Sequence, residues 1–164
     1  YRLAKARFST RLLISFAMIG LLLGLSTATL MALVKTGLDT ASVQEYYLGA
    51  AAGQGPSTFD EAIIATGPRP IAELAEVTHL HLMGGSLLLF FLCHLLSVCD
   101  VSERWRAGLY SVSFFTFLST FGLPWIIVYV TPRAAFLFGP SAILFIISLI
   151  ILCIIPLREM WGGK

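Results

Sequence analysis

Four long apolar runs divide this chain of 164 residues and leave little choice of fold. Each run is close to the ~20 residues that a helix needs to cross the hydrocarbon core of a membrane. The runs cover residues 12–34, 77–98, 107–130 and 135–156. Apolar residues make up 57% of the chain and charged residues 12%, and the mean hydropathy is +0.87, which excludes a water-soluble domain with a polar surface. The sequence therefore predicts an all-α, integral membrane four-helix bundle, with residues 1–164 forming a single domain.

Basic residues are distributed unevenly between the two ends of this predicted bundle. Eight of them flank one end: Arg2, Lys5, Arg7, Arg11, Arg104, Arg106, Arg158 and Lys164. The other end has Lys35, Arg69 and Arg133, together with most of the acidic residues. Because basic residues concentrate on the cytoplasmic side of a membrane, we expect both termini in the cytoplasm and one long loop outside it, between the first two helices. A net charge of +2 spread in this way argues against a nucleic-acid partner.

Two local patterns add detail to the first half of the chain. Helix-favouring residues 42–52, followed by glycine and proline, predict a short interfacial helix anchored by Tyr46 and Tyr47. In the first transmembrane helix, Gly20, Gly24 and Ala28 recur every four residues, and this stripe of small side chains predicts close packing against a neighbouring helix.

Three histidines lie on the second predicted helix, where an imidazole in hydrocarbon is costly unless it binds something. His79 and His94 are fifteen residues apart, which is ~22 Å along a helix, and they project within ~60° of each other. His81 points ~140° away from His94. A helix with one imidazole near each side of the membrane core is typical of a helix that ligates two stacked haems. The pattern therefore predicts haem b held by His79 and His94.

A haem site needs more than two imidazoles. Gly85 follows His79 within two turns and would let a flat macrocycle approach the backbone, although a small residue also admits a neighbouring helix. Arg69 and Arg133 are candidate partners of the propionates, and each also fits the ordinary basic flank of a span. Two bis-histidine haems require four ligands, so a non-histidine ligand such as Met83, a homodimer, and histidines of a larger membrane complex all stay open.

The same helix also has the ligand types of a Zn, Cu or Fe site. These residues are Glu76, His79, His81 and, further along the helix, His94, with Asp60 and Glu61 of the loop as additional candidates. A histidine and a glutamate at the depth of the membrane surface are equally suited to exchanging protons with a quinol. For Glu76 the alternative is a solvated helix start, where the helix dipole favours acidic residues.

The sequence favours an electron-transfer subunit of a respiratory or photosynthetic complex, in contact with membrane lipid and with a cytochrome or a quinone as partner. One alternative is a cofactor-free accessory or scaffolding subunit. Another is a periplasm-facing metal- or quinone-binding membrane protein. No pair of nucleophile and base is recognisable, so a catalytic reaction of its own is not indicated.

Several segments together resemble a family of small four-helix proteins of the bacterial inner membrane that has no settled function. They are Glu73-Leu74-Ala75-Glu76-Val77-Thr78-His79-Leu80-His81-Leu82, the downstream His94, Tyr46-Tyr47-Leu48-Gly49, and Pro156-Leu157-Arg158-Glu159-Met160-Trp161. The resemblance covers nearly the whole chain. It implies a fold and a location, with the long loop in the periplasm, and it implies no particular chemistry for these residues.

Overall fold

Helices account for nearly all of residues 3–49 and 67–162, which are the residues that the computed structural model describes. Five α-helices follow in chain order: α1 (Phe8–Lys35), α2 (Thr40–Leu48), α3 (Ile71–Ser97), α4 (Glu103–Tyr129) and α5 (Ala135–Trp161). Short 3-10 turns, Leu3–Lys5 and Pro132–Ala134, precede α1 and α5. The described residues form no β-strand, and α1, α3, α4 and α5 are long and apolar enough to cross a membrane. For these residues the prediction of an all-α fold with four helices able to span a membrane is confirmed.

The ends of the helices differ from the predicted spans in a consistent way. Helices α1, α3 and α4 begin at least one turn before the apolar runs at residues 12, 77 and 107, and α5 continues past residue 156. A hydropathy pattern stops at the membrane surface, whereas the hydrogen bonds of a helix continue into polar sequence until a cap or a breaker ends them.

A tight corner connects α1 to α2. Gly37 has a positive φ of 68°, a conformation that favours glycine, and its N–H donates to the Ala32 carbonyl at 3.1 Å, which ends α1. Asp39 then caps α2 by accepting a hydrogen bond from the Ser42 N–H at 3.0 Å. The corner turns α2 back over the end of the bundle, where the side chain of Val43 is fully buried.

Helix α2 is shorter than the predicted helix over residues 42–52. It ends at Leu48, because Gly49 adopts a φ of 85° that a helix cannot continue. The remaining predicted positions, 50–52, lie outside the described residues.

Helices α3, α4 and α5 pack together and form the main core. Its fully buried side chains include Leu92, Leu96, Phe117 and Leu152, and Met18 of α1 joins them. In a bilayer these contacts withdraw no surface from water, so close packing and dispersion stabilise them.

The two ends of the bundle are held differently. At the termini end, Trp161 Nε1 donates to Ser15 Oγ at 2.9 Å, and the Leu3 N–H donates to the Val98 carbonyl at 3.2 Å. At the opposite end, which we call the α2 end, α2 packs against α4 and α5 around a second apolar cluster. Its buried members are Val43, Leu123, Ile127, Ala134, Ala135 and Phe138.

Candidate functional site: a cleft between α1 and α3

Helix α1 packs against the bundle in its first half, where Leu21, Leu22 and Leu25 still contact the main core, and it stands away from the bundle over the rest of its length. Its buried residues are Ile14, Ser15 and Met18, and none of the following residues of the helix is buried. Burial resumes only beyond the helix, at Thr36. The main packing partner of α1 is α5, so a space is left between α1 and α3.

This space is a cleft of about 660 Å³, within the range of ordinary small-molecule sites. The stripe of Gly20, Gly24 and Ala28 lines one wall of it. A Cβ added to Gly20 or Gly24 would meet no atom within 4 Å, so the prediction that this stripe packs closely against a helix is wrong for the described chain. The opposite walls are apolar and include Leu88, Leu92, Phe117, Phe121, Phe145 and Leu149.

Close contacts close the cleft at the α2 end. Gly139 of α5 lies against the backbone carbonyl of Leu38, and a Cβ at this glycine would overlap that oxygen. Tyr47 packs its ring edge-on against Phe138 at a centroid distance of 5.9 Å. Burial raises the pKa of the Tyr47 phenol well above its usual range, so this group stays a neutral hydroxyl. The corner between α1 and α2 and helix α2 itself are therefore both anchored on α5.

Polar side chains of the cleft gather at this same end, and Arg69 is central to them. Its Nε donates to the Tyr46 carbonyl at 3.0 Å, its Cζ lies 3.9 Å from the centre of the Tyr46 ring, and Nη1 pairs with Glu73 one turn further on. The Arg69 N–H also donates to the Tyr47 carbonyl at 3.0 Å. The guanidinium is thus oriented and its charge is balanced before any ligand arrives.

Thr78 and His81 continue the polar end of the cleft along α3. Trp125 Nε1 donates to Thr78 Oγ1 at 2.9 Å, which ties α3 to α4. The His81 ring stacks on Phe121 at a centroid distance of 4.5 Å, and Nδ1 lies 2.7 Å from the Val77 carbonyl. Among the described residues, no group forms a hydrogen bond with His81 Nε2.

The three histidines do not converge. All three are exposed, but His81 borders the cleft, whereas His79 and His94 lie outside it. The His94 ring stacks on Phe90 of its own helix at a centroid distance of 6.1 Å. His79 and His94 therefore lie on a part of α3 that no other described residue covers. Both are separate from His81, which borders the cleft.

The remaining predicted haem residues lie apart from each other. Gly85 is on the cleft side of α3, four residues after His81, and a Cβ there would lie 2.7 Å from Phe117 Cζ. It therefore serves close packing of α3 on α4. Arg69 belongs to the cleft, as described above, whereas Arg133 is exposed in the turn before α5.

The predicted metal ligands form no cluster in the described part of the chain. No group of three or more His, Cys, Asp or Glu side chains there has a geometry that could hold a metal ion. Glu76 is exposed, and Asp60 and Glu61 lie outside the described residues.

The sequence did not predict the cleft, nor that Thr78 and Arg69 contribute to its polar end. The available signal was the stripe of small residues on α1, which indicates either a helix neighbour or a space. The order Arg69 to Glu73, with i, i+4 spacing at a helix start, also indicated an ion pair.

These features define a multi-pass helical membrane protein whose transmembrane bundle has a side cleft with one polar end. The chain belongs to the Aq_1264_TM family of transmembrane helical domains, whose profile matches residues 37–164. No curated protein and no solved structure matches the chain.

Proposed function

We propose that this protein binds an isoprenoid quinone in the cleft between α1 and α3, as a membrane subunit of an electron-transfer chain. The observation that carries the proposal is the polarity of the cleft, whose long walls are apolar and whose polar side chains are gathered at one end. An isoprenoid quinone has the same distribution of polarity, because one polar ring is attached to one long apolar tail.

Access from the bilayer supports a ligand that lives in the membrane. The rim of the cleft includes Leu33 of α1 and Leu80 of α3, whose side chains are 48% and 63% exposed. These apolar rims face lipid, so a ligand can enter sideways without crossing water.

The charge at the polar end supports a neutral head group over an anionic one. Arg69 is paired with Glu73 and held by Tyr46, so the site has no uncompensated cation for a phosphate. The phenol of Tyr47 and the hydroxyl of Thr78 are uncharged, which suits a head that is polar without being ionised.

Charge distribution also supports an orientation. Six described basic residues lie at the termini end: Lys5, Arg7, Arg11, Arg104, Arg106 and Arg158. The α2 end has Lys35, Arg69 and Arg133. By the positive-inside rule the termini are cytoplasmic, and the polar end of the cleft faces the periplasm of a bacterial inner membrane.

The test is to quantify the quinone that co-purifies with the protein in mild detergent, by solvent extraction and mass spectrometry. Gly24→Leu and Gly84→Leu each fill the cleft from a glycine whose added Cβ meets nothing within 4 Å. Gly108→Leu is the matched control, because that glycine is equally unobstructed and lies outside the cleft. We expect a stoichiometric amount of quinone in the wild type and the control, and a several-fold loss in both cleft variants. Equal amounts in all four proteins would refute the proposal.

Haem b is a second candidate ligand, and the exposure of both His79 and His94 favours it. Both imidazoles lie outside the cleft on one helix, ~22 Å apart along its axis, and the described chain does not cover either of them. A haem there requires a second ligand from a partner, through a homodimer or a cytochrome of a larger complex.

A reduced-minus-oxidised absorption spectrum, with haem quantified per chain, tests this candidate. A b-type signal that disappears in His79→Ala and His94→Ala and persists in His81→Ala is the expected result. A complex that stays intact with no haem would instead favour an accessory or scaffolding subunit.

A further inference from the structure

We infer that the cleft prefers the reduced form of its ligand, a quinol, because His81 presents a hydrogen-bond acceptor to the head group. This inference rests on the proposed function and adds the chemical form of the ligand. The structural basis is the hydrogen bond that His81 already forms with its own helix.

The Val77 carbonyl oxygen is only an acceptor, so His81 Nδ1, 2.7 Å away, must be the nitrogen that carries the proton. In a neutral imidazole with a protonated Nδ1, the other nitrogen has a lone pair and accepts a hydrogen bond. In this tautomer His81 Nε2 is an acceptor.

The position of the ring is well defined. His81 stacks on Phe121 with an interplanar angle of 25°, and this contact and the bond to Val77 together restrain both side-chain torsions. Phe121 also lines the cleft, so the restrained ring forms part of its wall. No described residue donates to Nε2, so this atom is free to accept a hydrogen bond from a ligand hydroxyl.

A quinol and a quinone differ in the property that this acceptor recognises. A quinol hydroxyl donates a hydrogen bond, whereas a quinone carbonyl only accepts, and two acceptors facing each other in a desolvated site are unfavourable. The remaining N–H groups of Arg69 can donate to the oxygen of either form, so they do not distinguish quinol from quinone as His81 does. The cleft should therefore bind the hydroxyl-bearing form more tightly.

The test compares three compounds with the same short isoprenoid tail: a hydroquinone kept reduced without oxygen, the corresponding quinone, and the hydroquinone dimethyl ether. Their dissociation constants are measured on the full chain in detergent by tryptophan fluorescence. We expect the hydroquinone to bind roughly 3- to 10-fold more tightly than the other two, which is the size of one neutral hydrogen bond.

His81→Phe keeps an aromatic ring for Phe121 and removes both nitrogens, so it should abolish the difference while preserving binding through the tail. Leu87→Phe introduces the same residue on α3 at an exposed position outside the cleft and should leave the difference unchanged. A preference that survives in His81→Phe would refute the inference.

The protonation of the ring gives a second measurement that does not depend on binding. Nitrogen-15 shifts of His81, assigned by comparison with His81→Phe, should show a protonated Nδ1 and an unprotonated Nε2. The opposite tautomer, or an imidazolium, would overturn the inference.

The two proposals fail in distinguishable ways. Equal binding of all three compounds, abolished by Gly84→Leu, would refute the preference for quinol and leave the quinone cleft standing. No binding of any compound, or binding that Gly84→Leu does not change, would refute the cleft itself. A phospholipid found in the cleft in place of a quinone would also refute both.

Discussion

Two adjacent glycines of α3 allow a direct test of how tightly α3 packs on α4. A Cβ added to Gly85 would lie 2.7 Å from Phe117 Cζ and closer still to Cε2, whereas a Cβ added to Gly84 would meet nothing within 4 Å. Ordinary contact begins at 3.4 Å, so the ring would have to retreat by at least 0.7 Å, the difference between 3.4 and 2.7 Å.

Phe117 has little room for that retreat. Its side chain is 1% exposed, and its ring contacts Phe121 and Phe145 at centroid distances of 5.3 and 5.5 Å. Overpacking of this kind costs about 1–3 kcal/mol. Both Gly→Ala substitutions gain the same helix propensity, so comparing Gly85→Ala with Gly84→Ala cancels that term.

We expect Gly85→Ala to unfold roughly 2–12 °C below Gly84→Ala in the same detergent, followed by intrinsic tryptophan fluorescence. Replacing Phe117 by Leu in the Gly85→Ala background should recover part of the loss, and a double-mutant cycle measures the coupling. Equal melting temperatures for the two alanine variants would show that α3 and α4 do not have the close contact described.

Three further predictions concern the ends of the bundle. Gly139→Ala should destabilise the fold more than Gly85→Ala does, because its Cβ meets the backbone carbonyl of Leu38, which cannot rotate away; a melting temperature equal to that of the wild type would contradict this contact. Trp161→Phe and Ser15→Ala should each cost about 1 kcal/mol by removing one hydrogen bond, and the double variant should cost little more than either, as measured by denaturant unfolding. Hydrogen bonds from the first turn of α2 lower the pKa of Asp39 below its ordinary value of 3.8. The capping contribution of Asp39 should therefore be constant from neutral pH down to about pH 4 and be lost as the pH falls through the folded-state pKa, seen as faster corrected hydrogen exchange in α2.

The four spans could be predicted because hydropathy is a local property. The run over residues 77–98 is apolar whatever packs around it, and the bilayer dictates its length. The corner before α2 was harder to predict, because position 37 needs a glycine for two reasons that only the fold reveals. Its φ is positive, and a Cβ there would lie 2.6 Å from the Cβ of Ser42.

The site was harder to predict than the spans because it depends on contacts between distant residues. A helical wheel separates His81 from His94, but it does not reveal which face of α3 a neighbour covers. Which face of α3 is covered depends on the position of α1. This helix is anchored by Met18 in the core and, just beyond its end, by Leu38 against Gly139. Neither contact leaves a periodic pattern in the sequence, so the stripe of small residues between them predicts a packing face where the structure has a cleft.

A cleft in a bilayer faces competition that a cleft in water does not. Lipid chains are as apolar as the walls of this cleft and are present in great excess, so burying a ligand's tail gains little over burying a lipid chain. Any selectivity must therefore come from the polar end, where Arg69, Glu73, Thr78 and His81 are held by Tyr46, Trp125 and Phe121. It follows that a substitution at the polar end should change which molecule is bound, whereas a substitution that fills the apolar walls should change how much of any molecule is bound. Quinol binding that depended on the walls alone, and was unchanged in His81→Phe, would show that the head group is not recognised.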